Sequence, residues 1–162
     1  MQLKTLVAAI APRQIIGPLD RVVESIAYDS RRVQRNGLFV ALRGEKSDGH
    51  QFIDQAIEKG ATVIVTEREV QTPRATCLVV DNTRSALADL GAAFFQQPSR
   101  RLKIAAVTGT NGKTTTTFLI KHILEKAGTR CGLLGTVRYE IGDRVLPAVR
   151  TERRRRSPRG LA

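Results

Sequence analysis

Leu3, Leu6, Val7 and Ile10 fall at i, i+3, i+4 and i+7, and this spacing predicts a helix that packs by one face on a core. The apolar run is too short, and too closely followed by Arg13, to read as a secretory signal. The period then changes. Residues 25–28 and 38–42 predict short strands, separated by a polar stretch whose Asn36-Gly37 pair marks a turn. Phe52, Ile53, Ala56 and Ile57 return to helical spacing, with Gly60 as the stop. Residues 62–66 and 78–80 predict two further strands. Asn82 or Thr83 then caps a helix whose buried face is Leu87, Leu90, Gly91 and Phe94, and Pro98-Ser99 closes the segment. Strands alternating with helices predict an α/β domain over residues 1–98.

A second unit is predicted over residues 99–149. Ile104-Ala105-Ala106-Val107 reads as an apolar strand, followed by a glycine-rich loop and a helix burying Ile120, Ile123, Leu124 and Ala127, with Gly128 past its end. Residues 131–135 read as the next strand, which completes one βαβ unit. About fifty residues of this kind bury too little apolar surface to stand alone, so the unit is read as the opening of a larger sheet domain. Residues 150–162 have no apolar period and form an Arg-rich tail.

Charge sharpens this division. Lys and Arg number 27 against 15 Asp and Glu, a net +12, and five of these excess charges lie in the last thirteen residues with Arg153, Arg154, Arg155 and Arg156 in a row. A nucleic-acid arm would interleave aromatics, and only 4% of the chain is aromatic, so the tail argues against nucleic acid as a partner. No apolar run approaches the ~18 residues of a spanning helix, which excludes membrane insertion. Cys77 and Cys131 have neither a CxxC spacing nor a neighbouring His, and read as buried, inert thiols in a reducing cytoplasm. His50, beside Asp48-Gly49, is expected to cap the helix starting at Gln51, and His122 is assigned no chemistry.

The chemistry concentrates in Gly109-Thr110-Asn111-Gly112-Lys113-Thr114, between a predicted strand and a predicted helix. Glycines let backbone N–H groups approach phosphate oxygens, and the positive end of the following helix adds to the attraction. Lys113 is placed to bridge outer phosphates as the catalytic cation, and the Thr114 hydroxyl to ligate Mg²⁺, with Thr115 as a further phosphate donor. The loop is shorter than the common G-x-x-x-x-G-K-[ST] pattern, because Val107 stands five before Gly112.

The run Tyr28-Asp29-Ser30-Arg31-Arg32-Val33, then Gly37-Leu38-Phe39-Val40-Ala41-Leu42-Arg43-Gly44, Asp48-Gly49-His50, Phe52-Ile53, Ala56-Ile57 and Gly60-Ala61, resembles the N-terminal domain of the Mur ligases. These are the ATP-dependent amide ligases of peptidoglycan precursor synthesis. Pro98-Ser99, the segment from Val107 through Thr116 and Leu133-Leu134-Gly135-Thr136 are similar to the type that adds the third amino acid. The resemblance implies a UDP-N-acetylmuramoyl-dipeptide as substrate, its uridine end near Tyr28, Ser30 and the loop Glu45-Lys46-Ser47. It implies ATP and Mg²⁺ at Gly109, Thr110, Asn111, Gly112, Lys113, Thr114 and Thr115, an acyl phosphate on the glutamate carboxylate, and attack by diaminopimelate or lysine. Thr151 would contact the muramoyl substrate. Taken by themselves, Ser30 and Ser47 suit turn capping as well as ligand contact.

Family members continue past the equivalent of Arg150-Thr151 with a second Thr and Pro, where this chain reads Glu152-Arg153-Arg154. That switch is what a shifted frame or a truncated gene would give. The carboxylated lysine, further Mg²⁺ ligands, adenine contacts and the domain that reads the incoming amino acid are then missing, and this chain is expected to be inactive alone. Three rivals stand beside this reading: a non-catalytic nucleotide- or UDP-sugar-binding fragment, an anionic-polymer binder acting through Arg153 to Arg156, and the sibling ligase that adds D-alanyl-D-alanine.

Overall fold

In the computed structural model, which describes residues 1–44 and 47–148, the β-branched and aliphatic runs of the N-terminal segment pair into a five-stranded sheet. The elements are α1 (Leu3–Ile10), β1 (Gln14–Ile16), β2 (Ser25–Ala27), β3 (Gly37–Val40), α2 (Ile53–Glu58), β4 (Ala61–Thr66), β5 (Thr76–Val79) and α3 (Thr83–Phe94). The strand order is β1-β5-β4-β3-β2, parallel throughout except for the antiparallel edge strand β1. This sheet and its helices form one unit, Met1–Lys103.

The sheet is covered on both faces, as parallel sheets require. Successive side chains point to opposite faces, so Leu38, Val40, Val63 and Val65 meet Leu3 and Leu6 of α1 and Ala86 and Leu90 of α3. Phe39, Ala41 and Ile64 meet Ile53, Ala56 and Ile57 of α2 on the other face. All four residues of β3 are buried, and with β4 it forms the middle of a helix–sheet–helix sandwich.

Local departures from the sequence reading have local causes. Strand β1 was not expected, because three residues carry no usable period. Phe52 belongs to a 3-10 turn, Gly49–Phe52, that precedes α2, and it stays 39% exposed instead of lying on the helix's buried face. Asp48, not His50, caps that turn by accepting from the His50 amide. Asn82 caps α3, accepting from Arg84 and Ser85, and the buried line of α3 runs through Thr83, Ala86 and Leu90 with Leu87 and Phe94 only partly covered.

The second unit begins at Ile104. It contains α4 (Lys113–Lys126), which Gly128 follows in the left-handed region, and an antiparallel sheet of β6 (Leu133–Leu134), β7 (Arg138–Ile141) and β8 (Arg144–Pro147). Residues 104–107 form no strand, and Ile104 is 71% exposed. A strand needs a neighbour for its N–H and C=O groups, and β6, the partner expected for a βαβ unit, pairs instead with β7. The expected buried face of α4 is open: Ile123 is 65% and Leu124 39% exposed, and Ala127 is exposed. Polar and cation–π contacts join α4 to β7. Lys121 binds Glu140 at 2.9 Å, and the Arg138 guanidinium lies 5.0 Å from the centre of the Phe118 ring. Lys121 and Arg138 hold the Glu140 carboxyl below the usual range.

Leu90 has no exposed surface and closes the α1–α3 side of the first unit. Leu90→Ala should cost about 2–5 kcal/mol in a urea titration; a loss below about 1 kcal/mol would contradict this packing.

Candidate functional site

Loops leaving the carboxyl ends of parallel strands are where such sheets place their ligands. After β2 comes Tyr28, 60% exposed, and then a 3-10 turn, Ser30–Arg32. Asp29 caps the turn by accepting from the Arg31 amide at 3.0 Å, and its two oxygens hold the Arg31 guanidinium at 2.9 and 2.8 Å. These bonds keep the Asp29 carboxyl at about 2, below its ordinary 3.8. Ser30 is buried and donates to Gln55 Oε1 of α2 at 2.6 Å, while Lys59 Nζ reaches the Arg31 carbonyl at 3.3 Å.

The loop after β3 turns back on itself. Gly44 donates to the Ser47 carbonyl, Arg43 bridges to Asp48, and Gly49 donates to the Leu42 carbonyl at 2.8 Å. A Cβ on Gly49 would lie 2.6 Å from that carbonyl oxygen and 2.7 Å from the Leu42 nitrogen, so the approach needs glycine. Asp48 also binds the His50 ring at Nδ1 and receives Arg68 Nη2 at 2.6 Å. His50 Nε2 accepts from the Glu67 amide at 3.3 Å, and Glu67 Oε1 accepts both the amide and the hydroxyl of Thr83. One chain of hydrogen bonds therefore ties together the loops after β3, β4 and β5. Asp48 and Glu67 both titrate below the usual carboxylate range, Asp48 chiefly through the His50 amide and Glu67 chiefly through the Thr83 amide.

In the second unit the glycine-rich loop opens α4 at Gly112, whose φ of 78° is left-handed, with Gly109 at 151°. No side chain caps α4, and Thr110, Asn111, Thr114 and Thr115 are exposed. Lys113 Nζ folds back on the carbonyls of Gly109, at 2.5 Å, and Thr110, at 3.4 Å. An uncapped helix start, two glycines with room for close approach and an adjacent ammonium form a donor set that fits a magnesium–nucleotide phosphate. The exposed Thr114 hydroxyl, in the first turn of α4, is an oxygen that could ligate the cation.

Tyr28, Ser30 and Ser47 thus lie in the loops after β2 and β3, and Gly109 to Thr115 share one loop and helix start. Glu45, Lys46, Thr151 and the Arg-rich tail lie outside the described residues. Asp29, Asp48, Gln55, Glu67 and Arg68 were missed as site-building residues. The two Asp caps carried a local signal, Asp followed two residues on by the amide it binds; the Gln55 and Glu67 partners are 25 and 16 residues away and left none. Cys77 is buried and its thiol is pushed up by burial, in keeping with an inert role, whereas Cys131 is only partly covered.

Residues 22–95 match the family described as "Mur ligase family, catalytic domain", and residues 107–158 match "Mur ligase middle domain". A curated relative, the UDP-N-acetylmuramoyl-L-alanyl-D-glutamate--2,6-diaminopimelate ligase of Syntrophomonas wolfei, is 52% identical over 128 residues, which are 78% of this chain and 26% of that protein. A solved structure of a UDP-N-acetylmuramoyl-L-alanyl-D-glutamate--2,6-diaminopimelate ligase matches 91% of this chain and 30% of its own, with TM-score 0.71 and 25% identity. The MurF ligase of Thermotoga maritima in complex with ADP matches 64% of this chain and 24% of its own, with TM-score 0.50 and 31% identity. The chain spans about a quarter to a third of the length of these relatives.

Asp29 reports directly on the first loop. Its folded-state value lies below the ordinary one, so the Asp29–Arg31 tether is complete above about pH 4 and is lost as pH falls through about 2. A carboxyl NMR titration should find a midpoint of about 2 that moves back toward 3.8 in Arg31→Ala. An unchanged midpoint in the variant would contradict the assigned cause.

Proposed function

Because this chain belongs to the Mur ligase family, we propose that it is the substrate-recognition domain and the phosphate-loop segment of a ligase adding the third peptide residue to UDP-N-acetylmuramoyl-L-alanyl-D-glutamate. Curated relatives at 52% and 43% identity carry the name of the diaminopimelate-adding ligase, which supports this type over the sibling that adds D-alanyl-D-alanine. The observation that carries the reading is the pairing of two features: a loop-bearing parallel sheet edge, and a separate Gly-Lys-Thr helix start with its N–H groups uncapped.

On this reading the uridine diphosphate end meets the turn carrying Tyr28 and Ser30 and the loop that includes Ser47. Exposed aromatic, hydroxyl and backbone amide groups suit a neutral base and a diphosphate. ATP and Mg²⁺ belong to Gly109, Thr110, Asn111, Gly112, Lys113, Thr114 and Thr115. When bound, ATP supplies the phosphoryl group that activates the glutamate carboxylate as an acyl phosphate, ready for the incoming amine. Lys113 would neutralise charge on the outer phosphates, exchanging its present carbonyl partners for them, and Thr114 would orient the cation. A reaction that consumes ATP on a nucleotide-linked precursor belongs in the cytoplasm, and among the described residues no helix is long and apolar enough to cross a membrane.

Calorimetric titration of the full chain tests the assignment of the two sites. Lys113→Ala should weaken Mg-ATP by roughly ten- to a hundredfold, the loss of one charge-assisted contact, and leave the affinity for UDP-N-acetylmuramoyl-L-alanyl-D-glutamate unchanged. Equal loss for both ligands, or unchanged Mg-ATP affinity, would overturn it.

A further inference from the structure

Ser30 is the one residue of the turn after β2 whose polar side chain is buried: it is 7% exposed, between Asp29 and an Arg31 whose side chain is 80% exposed. Its hydroxyl proton goes to Gln55 Oε1 at 2.6 Å, and Gln55 stands on the exposed side of α2 beside buried Ala56. The bond joins residues 25 apart in the chain, and Lys59 of the same helical segment reaches the Arg31 carbonyl. The turn is therefore fixed to α2 by directional polar bonds, in addition to the apolar contact of buried Val33. What it presents outward is the Tyr28 ring and the Arg31 guanidinium, the latter already oriented by both oxygens of Asp29. An aromatic face and a held guanidinium are the side chains that stack on a base and pair with a diphosphate.

We infer that Ser30 and Gln55 are a positioning pair that holds the 29–32 turn on α2, so that Tyr28 and Arg31 meet the nucleotide end of the substrate in one geometry. This rests on the reading above of that turn as the uridine-diphosphate element. It assigns to Gln55 a role that no local motif suggests.

The chain contains two tyrosines and no tryptophan, so UDP can be titrated against the full chain by tyrosine fluorescence. Ser30→Ala and Gln55→Ala should each raise the UDP dissociation constant about fivefold, the worth of one hydrogen bond. The double variant should be no worse than either single, because both remove the same bond. Ser30→Thr, which keeps the hydroxyl, should stay within about twofold of the parent. Losses that multiply to about twenty-five-fold would mean independent ligand contacts and would overturn the pair, as would singles that bind like the parent. Gln55 is exposed, so its variant leaves the core intact even where Ser30→Ala proves unstable. If the parent itself does not bind UDP, the ligand reading fails, and the pair is judged by amide exchange at Arg32, whose N–H donates to the Asp29 carbonyl at 2.9 Å. Equal acceleration in both single variants then supports the tether, and unchanged exchange refutes it.

Discussion

The structure of the first unit depends on the burial of β3 against β4. Leu38, Val40, Val63 and Val65 face one helix layer, while Phe39 and Ile64 face the other, so neither strand can slip by one residue without exchanging its two faces. That register sets where each strand ends, and the strand ends set where the loops begin. Asp29 and Glu67 lie just past those ends and Asp48 lies in the loop after β3, and each is committed to amides of its own or a neighbouring loop. The bonds from Asp48 through His50 to Glu67, and from Glu67 to Thr83, tie the loops after β3, β4 and β5 into one hydrogen-bonded chain. Carboxylates held below their usual range are the electrostatic sign of that arrangement.

The second unit follows a different logic. Its glycine-rich loop and helix start have the donors a phosphate needs, but α4 meets its sheet through Lys121, Glu140 and the Arg138–Phe118 contact, and its Ile123 and Leu124 side remains open among the described residues. A partly buried ion pair orients a helix well and stabilises it weakly, since desolvation offsets much of the attraction. The proposed reading assigns substrate recognition to the packed sheet of the first unit and phosphate binding to the backbone geometry at Gly109 and Gly112 in the second.

Most of this was legible in the chain because periodicity and local chemistry agree. The spacing of Leu3, Leu6, Val7 and Ile10, the β-branched run ending at Thr66, the Asn82 cap and the Gly60 and Gly128 stops appear where the pattern puts them. The failures have physical reasons. Ile104-Ala105-Ala106-Val107 has a strand's composition, yet composition supplies no neighbour, and pairing is what makes a strand. The β7–β8 hairpin went unread although Gly142-Asp143, with Gly142 at φ 57°, sits between alternating apolar residues and is a two-residue turn signal. In the site, the glycine-rich loop was legible because its parts are contiguous. The Ser30–Gln55 and Glu67–Thr83 bonds were not, because only the fold brings those residues together.

The central claim is that the carboxyl edge of the first unit's sheet recognises the nucleotide end of the substrate independently of the phosphate loop. The most direct measurement is a map of backbone amide chemical shifts of the full chain during UDP addition. The account predicts saturable shifts concentrated at residues 28–32 and in the loop from Leu42 to His50. Shifts confined to Gly109 through Thr115, or none at saturating UDP, would contradict it.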